Sequence, residues 1–199
     1  LEMAESGELA GRVILWVAQS DELCEQAVQA FREVWGAIGT SGELVIGRLW
    51  GDNHVESAAD THDEWRAQVI VATVAKMSAS VVGSQRYVWL LGSAVVVADE
   101  AHLASSREYT AMLRWLGTGV RRAGEDDRPL IGLTATPFKT GAKETATLRT
   151  RFGKNLLQIR PDANDGEDWS VTGYLRQIGV LARARHETLG GANVALDEA

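Results

Sequence analysis

The 199-residue sequence is sparing with several features that would each point to a class of protein. Its single cysteine, Cys24, excludes an internal disulfide framework and suits a reducing compartment. Only three prolines accompany 20 glycines in a composition that is 45% hydrophobic and 24% charged, the profile of a soluble globular chain and not of a disordered or fibrous one. No apolar run approaches the ~20 residues of a membrane span, and the opening LEMAESGELAGR has neither a basic n-region nor an apolar h-region. The expectation is a cytoplasmic protein with no membrane partner. Basic charge is also in deficit: 20 Lys and Arg face 27 Asp and Glu, for a net charge of −7. A surface that grips nucleic acid by bulk electrostatics is therefore disfavoured, and any such contact must be local.

The length suits one domain with a tail, large enough to bury roughly 70% of its unfolded surface without a disulfide or structural metal. Five runs rich in Val, Ile and Leu read as strands: Arg12 to Ala18, Leu44 to Leu49, Val69 to Ala72, Ala94 to Ala98 and Leu130 to Leu133. VILWVA, VIVA and AVVVA lack polar alternation, as expected for parallel strands covered by helices on both faces. Between the first two runs, Leu23, Ala27, Ala30, Phe31 and Val34 recur at helical spacing, with Ser20 or Asp21 as cap and Gly36 or Gly39 as the stop. Ser105 to Leu116 and Lys143 to Phe152 read as two further helices, the last one stopped by Gly153. Alternating strands and helices predict an α/β, doubly wound sheet with right-handed crossovers. LEMAESGELAG reads as the last turns of a helix, 122–129 as a charged loop, and 160–170 as a polar linker. VTGYLRQIGVLARARHETL beyond it reads as one helix or strand.

In an open parallel sheet, ligands bind beyond the carboxyl ends of the strands. The residues there are Gln19 and Ser20 after the first run, Thr73 after the third, Asp99-Glu100-Ala101-His102 after the fourth, and Thr134-Ala135-Thr136-Pro137 after the fifth. Two adjacent carboxylates at a strand tip point in different directions, so one can hold a cation while the other activates water. A metal site built from Asp99, His102 and one of His54 or His62 lacks the H-x3-H spacing that would support it. Cys24 lies beside the apolar face of its helix and reads as inert packing. Trp16, Trp89 and Trp115 read as core, whereas Trp50 and Trp65 flank a polar stretch and are candidates for stacking on bases.

Taken in order, VILWVAQSDELCEQ, VIVATVAKM, VVVADEAH and IGLTATP resemble motifs Ia, Ib, II and III of the superfamily 2 DEAD/DEAH-box helicases and translocases. The nearest branch is that of type III restriction enzyme Res subunits. The resemblance covers roughly Gly11 to Phe138 and implies an incomplete RecA-like P-loop NTPase fold, mostly parallel, with helices on both faces of the sheet. It implies that Asp99 coordinates the Mg²⁺ of Mg-ATP, that Glu100 is the catalytic base, and that His102 reports nucleotide state. Thr134, Ala135 and Thr136 would couple hydrolysis to movement on nucleic acid, with Gln19, Ser20 and Thr73 contacting one strand's sugar-phosphate backbone. DNA is favoured over RNA by the restriction-type branch.

One motif of that family has no counterpart here. No G-x-x-x-x-G-K-[ST] phosphate loop occurs in the sequence, since the one Gly-Lys pair, Gly153-Lys154, is followed by Asn155 and preceded by Leu148 where the leading glycine belongs. The expected organisation is a RecA-like helicase domain 1 without Walker A over residues 1–159. Residues 160–199 are then a linker and extension towards a second RecA-like domain, the sheet being incomplete at its N-terminal edge. The resulting expectation is part of an ATP-dependent DNA helicase or translocase, acting in restriction or phage defence and inactive in isolation, its nuclease or methyltransferase partner unidentified. The alternatives are a non-hydrolysing nucleic-acid-binding or interaction module and a split ATPase completed by another chain.

Overall fold

The computed structural model describes residues 13–38, 43–56, 66–119, 128–136, 141–157 and 171–179. The chain falls into two compact units, Leu1–Asn155 and Leu156–Ala199. In the first, strands β1 (Val13–Ala18), β2 (Glu43–Leu49), β3 (Arg66–Thr73), β4 (Val95–Ala98) and β5 (Leu130–Gly132) form one sheet in the order β2-β3-β1-β4-β5. Every pairing is parallel, with Val17 beside Ala72 on one side and Ala98 on the other, and Ala98 beside Gly132. All five carboxyl ends therefore lie along one edge of the sheet, which is the geometry of an α/β RecA-like fold.

Side-chain alternation divides the core between the two faces of this sheet. On one face Val13, Leu15, Val17, Ile70, Ala72, Val96 and Ala98 pack against helix α3 (Arg107–Leu116) and the helical stretch after β3. On the other, Ala18, Val69 and Val71 pack against Cys24, Ala27 and Val28 of helix α1 (Asp21–Ile38). The first face is the better covered: Leu15 and Val17 are fully buried while Ile14 and Trp16 stay half-buried. At about 1.5–3 kcal/mol per buried aliphatic side chain, it carries the larger share of the stability.

Helix α1 runs through Gly36 to Ile38, so that glycine is not the stop expected for it. Between β3 and β4 lies a stretch without 3.6-residue periodicity: helix α2 (Val74–Lys76), a π-helical turn (Met77–Val81) and a 3-10 helix (Gln85–Gly92). The last helix of this unit is α4 (Ala142–Arg151), whose end is capped with Gly153 at φ 67° and Lys154 at φ 63°. The Gly-Lys pair is thus a helix C-cap. In the second unit, helix α5 covers Val171–Gln177 of the stretch expected to be one helix or strand. The expectations for LEMAESGELAG, 160–170 and most of 122–129 lie outside the described residues. No helix among the described residues is long and apolar enough to cross a membrane.

Candidate nucleotide and nucleic-acid site

The tip of β4 is built by a change of backbone direction. Asp99 still donates its amide to the Val17 carbonyl of β1 at 2.8 Å. The next residue, Glu100, sits at φ 49°, ψ 49°, in the left-handed region that an L-residue enters at a cost. Asp99 Oδ1 accepts from the Glu100 amide at 2.9 Å, and a 3-10 turn over Ala101–Leu103 follows. That turn is tied to β5, because Ala101 donates to the Leu133 carbonyl at 2.8 Å and Leu133 donates to the Ala98 carbonyl at 2.9 Å.

The close fit depends on Gly132. A Cβ there would lie 2.6 Å from Phe152 Cε1 and 2.8 Å from Ala101 Cβ, so the glycine lets the turn lie against β5. With the two tips joined, His102 Nδ1 lies 3.1 Å from Glu100 Oε2 and 3.3 Å from Thr134 Oγ1. Facing a carboxylate oxygen, Nδ1 is the donor, which leaves Nε2 for other partners. Thr134 Oγ1 also accepts from the Thr136 amide at 3.1 Å. Ala135 is exposed and joins only by its place between them.

This constellation rests on buried supports. The Tyr109 hydroxyl donates to the Asp99 carbonyl at 3.1 Å, and burial, with the nearby Asp99 carboxylate, raises its pKa so that the proton stays on. Arg151 of α4 donates to the Ala104 carbonyl and, at 3.0 Å, to Thr110 Oγ1. Burial lowers its pKa from the ordinary arginine value. Sequence reasoning passed over both the Tyr109 hydroxyl and Arg151, since neither has its partner close in sequence.

Further along the same edge, Ser20 Oγ accepts from the Leu23 amide at 3.3 Å at the start of α1, and Gln19 beside it is exposed. Thr73 is buried, and its hydroxyl accepts from the Lys76 amide at 3.2 Å as the cap of α2. Lys76 Nζ reaches the Gly51 carbonyl at 2.7 Å, joining the tips of β3 and β2. Trp50, a candidate for base stacking, is buried instead, packed with Val69 and Val71 under α1. Trp65 and His62 lie outside the described residues, and His54 Nδ1 is hydrogen-bonded to the Tyr87 hydroxyl at 2.9 Å.

Residues 1–145 match the profile of the DEAD/DEAH box helicase family. The chain belongs to that family. Among curated proteins no match was found. Membership makes the sheet a helicase-type NTPase domain, and the DEAH tetrapeptide of the family name is the turn that presents Asp99, Glu100 and His102 together.

Proposed function

We propose that this chain is part of an ATP-dependent superfamily 2 helicase or translocase acting on DNA, of the restriction-type branch, in a cytoplasmic restriction or phage-defence role. The observation that carries the reading is the junction of β4 and β5. Glu100 is presented in a left-handed turn, and His102 bridges it to Thr134 on the neighbouring strand tip. A hydrogen bond spanning two strand tips is a route by which a change at Glu100 reaches the Thr134–Thr136 segment.

Within this reading Glu100 accepts the proton of the attacking water, and His102 holds the carboxylate in place and senses its state. Asp99 offers the hard oxygen donors that suit Mg²⁺. Its Oδ1 is taken by the Glu100 amide, so Oδ2 is the atom that would hold the ion, directly or through water. Bound there, Mg²⁺ supplies neutralisation of phosphate charge. Gln19 and Ser20, with the amides at the start of α1, take the sugar-phosphate backbone without reading sequence, while the buried Thr73 acts from beneath as the cap that places Lys76.

The sequence carries no G-x-x-x-x-G-K-[ST] loop, so the triphosphate cradle is assigned to another segment or another subunit. The isolated 199 residues are therefore expected to turn over no ATP, which is also what favours a split ATPase as the second reading. The test is ATP binding and turnover with and without single-stranded DNA, alone and mixed with a loop-bearing partner, beside Glu100→Gln. Turnover that appears with the partner and disappears in Glu100→Gln supports the proposal. Partner-restored turnover indifferent to Glu100 overturns it.

A further inference from the structure

The peptide unit between Asp99 and Glu100 is held at both ends by side chains. Its N–H is taken by Asp99 Oδ1 at 2.9 Å, and its carbonyl by the Tyr109 hydroxyl at 3.1 Å. This peptide plane sets φ of Glu100, which at 49° is a value an unconstrained glutamate leaves. We propose that Tyr109 is the positioning residue of the site: its hydroxyl fixes the plane of the Asp99–Glu100 peptide and so keeps Glu100 in the left-handed turn that aims its carboxylate at His102. Its importance for chemistry rests on the role proposed above for Glu100, whereas its hold on the turn does not.

Tyr109 is built for that task and not merely for packing. Its ring is 1% exposed within the core cluster on this face of the sheet, which restricts how far the hydroxyl can swing from the carbonyl it meets. The backbone that carries it is itself fixed, since Ser106 Oγ accepts from the Tyr109 amide at 3.3 Å and Arg151 grips the hydroxyl of Thr110. Phenylalanine would fill the same space, so a core role alone would leave the hydroxyl without purpose. A part-buried carbonyl at a strand tip gains from a donor, and the Tyr109 hydroxyl supplies one.

The test is amide hydrogen exchange by NMR on the full 199-residue chain, comparing wild type, Tyr109→Phe and Ser93→Ala. The last removes a buried hydroxyl-to-carbonyl bond of 2.6 Å at the opposite end of β4. Tyr109→Phe is expected to speed exchange of the Glu100, Ala101 and Leu133 amides by about tenfold, while Ile70 and Val71 of β3 change by less than about twofold. Ser93→Ala is expected to leave those three amides alone. Unchanged exchange at the three amides, or an equal rise throughout the sheet, overturns the proposal. A second arm uses Glu100→Gly, whose backbone adopts the turn freely. In that background Tyr109→Phe should raise Ala101 and Leu133 exchange by no more than about threefold, and an undiminished tenfold effect also overturns it. No step involves nucleotide, so failure of the helicase reading and failure of this one are told apart.

Discussion

His102 Nδ1 stands 3.1 Å from Glu100 Oε2 across a turn in which Glu100 itself adopts φ 49°. The two facts belong together: an extended Glu100 would carry its carboxylate out along the β4 direction, and the left-handed step turns it back over the 3-10 turn to the imidazole. Strain of this kind persists where the surrounding structure over-determines it. A direct consequence is that Glu100→Gly should stabilise the fold by about 1 kcal/mol while deleting the carboxylate. The His102–Glu100 pair lost with it is partly exposed, and such pairs contribute about 0–1 kcal/mol. Urea unfolding checks this: a higher midpoint with an unchanged slope is expected, whereas Glu100→Gln should keep the wild-type midpoint.

Gly132 sets how closely the β4 turn approaches β5. Gly132→Ala would drive a Cβ to 2.6 Å from Phe152 Cε1 and 2.8 Å from Ala101 Cβ, and the Ala101 contact is with the turn itself, which has no rotamer to yield. A loss of about 1–3 kcal/mol is expected. Adding Phe152→Leu should recover only part of it, because shortening the ring leaves the Ala101 clash in place. Full recovery in the double variant would put the whole cost on the ring.

Arg151 joins α4 to the segment after the DEAH turn with a fork of two donors, one to the Ala104 carbonyl and one to Thr110 Oγ1. Arg151→Met should cost about 1–3 kcal/mol by leaving a half-buried carbonyl without its donor. Arg151→Lys should fail to restore most of that, since one ammonium cannot span both acceptors with the same geometry. Denaturation midpoints of the three proteins decide the matter.

These supports mark where sequence reading stopped. β1 and β4 were legible almost to the residue because VILWVA and VVVA are unbroken apolar runs, while the start of β3 was missed because Arg66, Ala67 and the buried Gln68 do not look like a strand. Residues 74–92 gave no helix signal, because π and 3-10 turns break the period on which helix recognition relies. At the site, the tetrapeptide at 99–102 and Thr134 were readable as polar residues at strand ends. The left-handed Glu100, the Tyr109 hydroxyl and the Arg151 fork were not, since each depends on contacts across the fold.

Cys24 and Tyr109 predict an alkaline limit to stability. Burial, reinforced by Asp21, Asp99 and Glu25, raises the Cys24 thiol to about 12 from its ordinary 9.0, and burial raises Tyr109 as well. In both the charged form is the deprotonated one, so above the unfolded-state pKa the unfolded chain has lost a proton that the folded chain keeps. The contribution of these two groups is therefore constant below about pH 8.5 and falls as pH rises from there towards 12, by about 1.4 kcal/mol per pH unit for each group once its unfolded form is ionised. Cys24→Ala should flatten the slope between pH 9 and 10.5, and the native thiol should resist alkylation at pH 8 until urea unfolds the chain.

A nucleic-acid interface made by Gln19, Ser20 and helix amides would contain few cations, and Lys76, whose amide Thr73 caps, is an ammonium placed at this edge. Single-strand binding should then depend weakly on salt, with a slope of log K against log salt near −0.7 for one phosphate contact, far from the values of a basic groove. Lys76→Met should bring that slope close to zero. Ser20→Ala should lower affinity with the slope unchanged, because its hydroxyl carries no charge to exchange for a counterion, and should also cost about 0.5–2 kcal/mol of stability through the lost cap on Leu23. Fluorescence anisotropy with a labelled oligonucleotide between 25 and 200 mM salt, on the order of the range where such slopes are read, measures both. A steep slope that persists in Lys76→Met would place the interface on another face of the molecule.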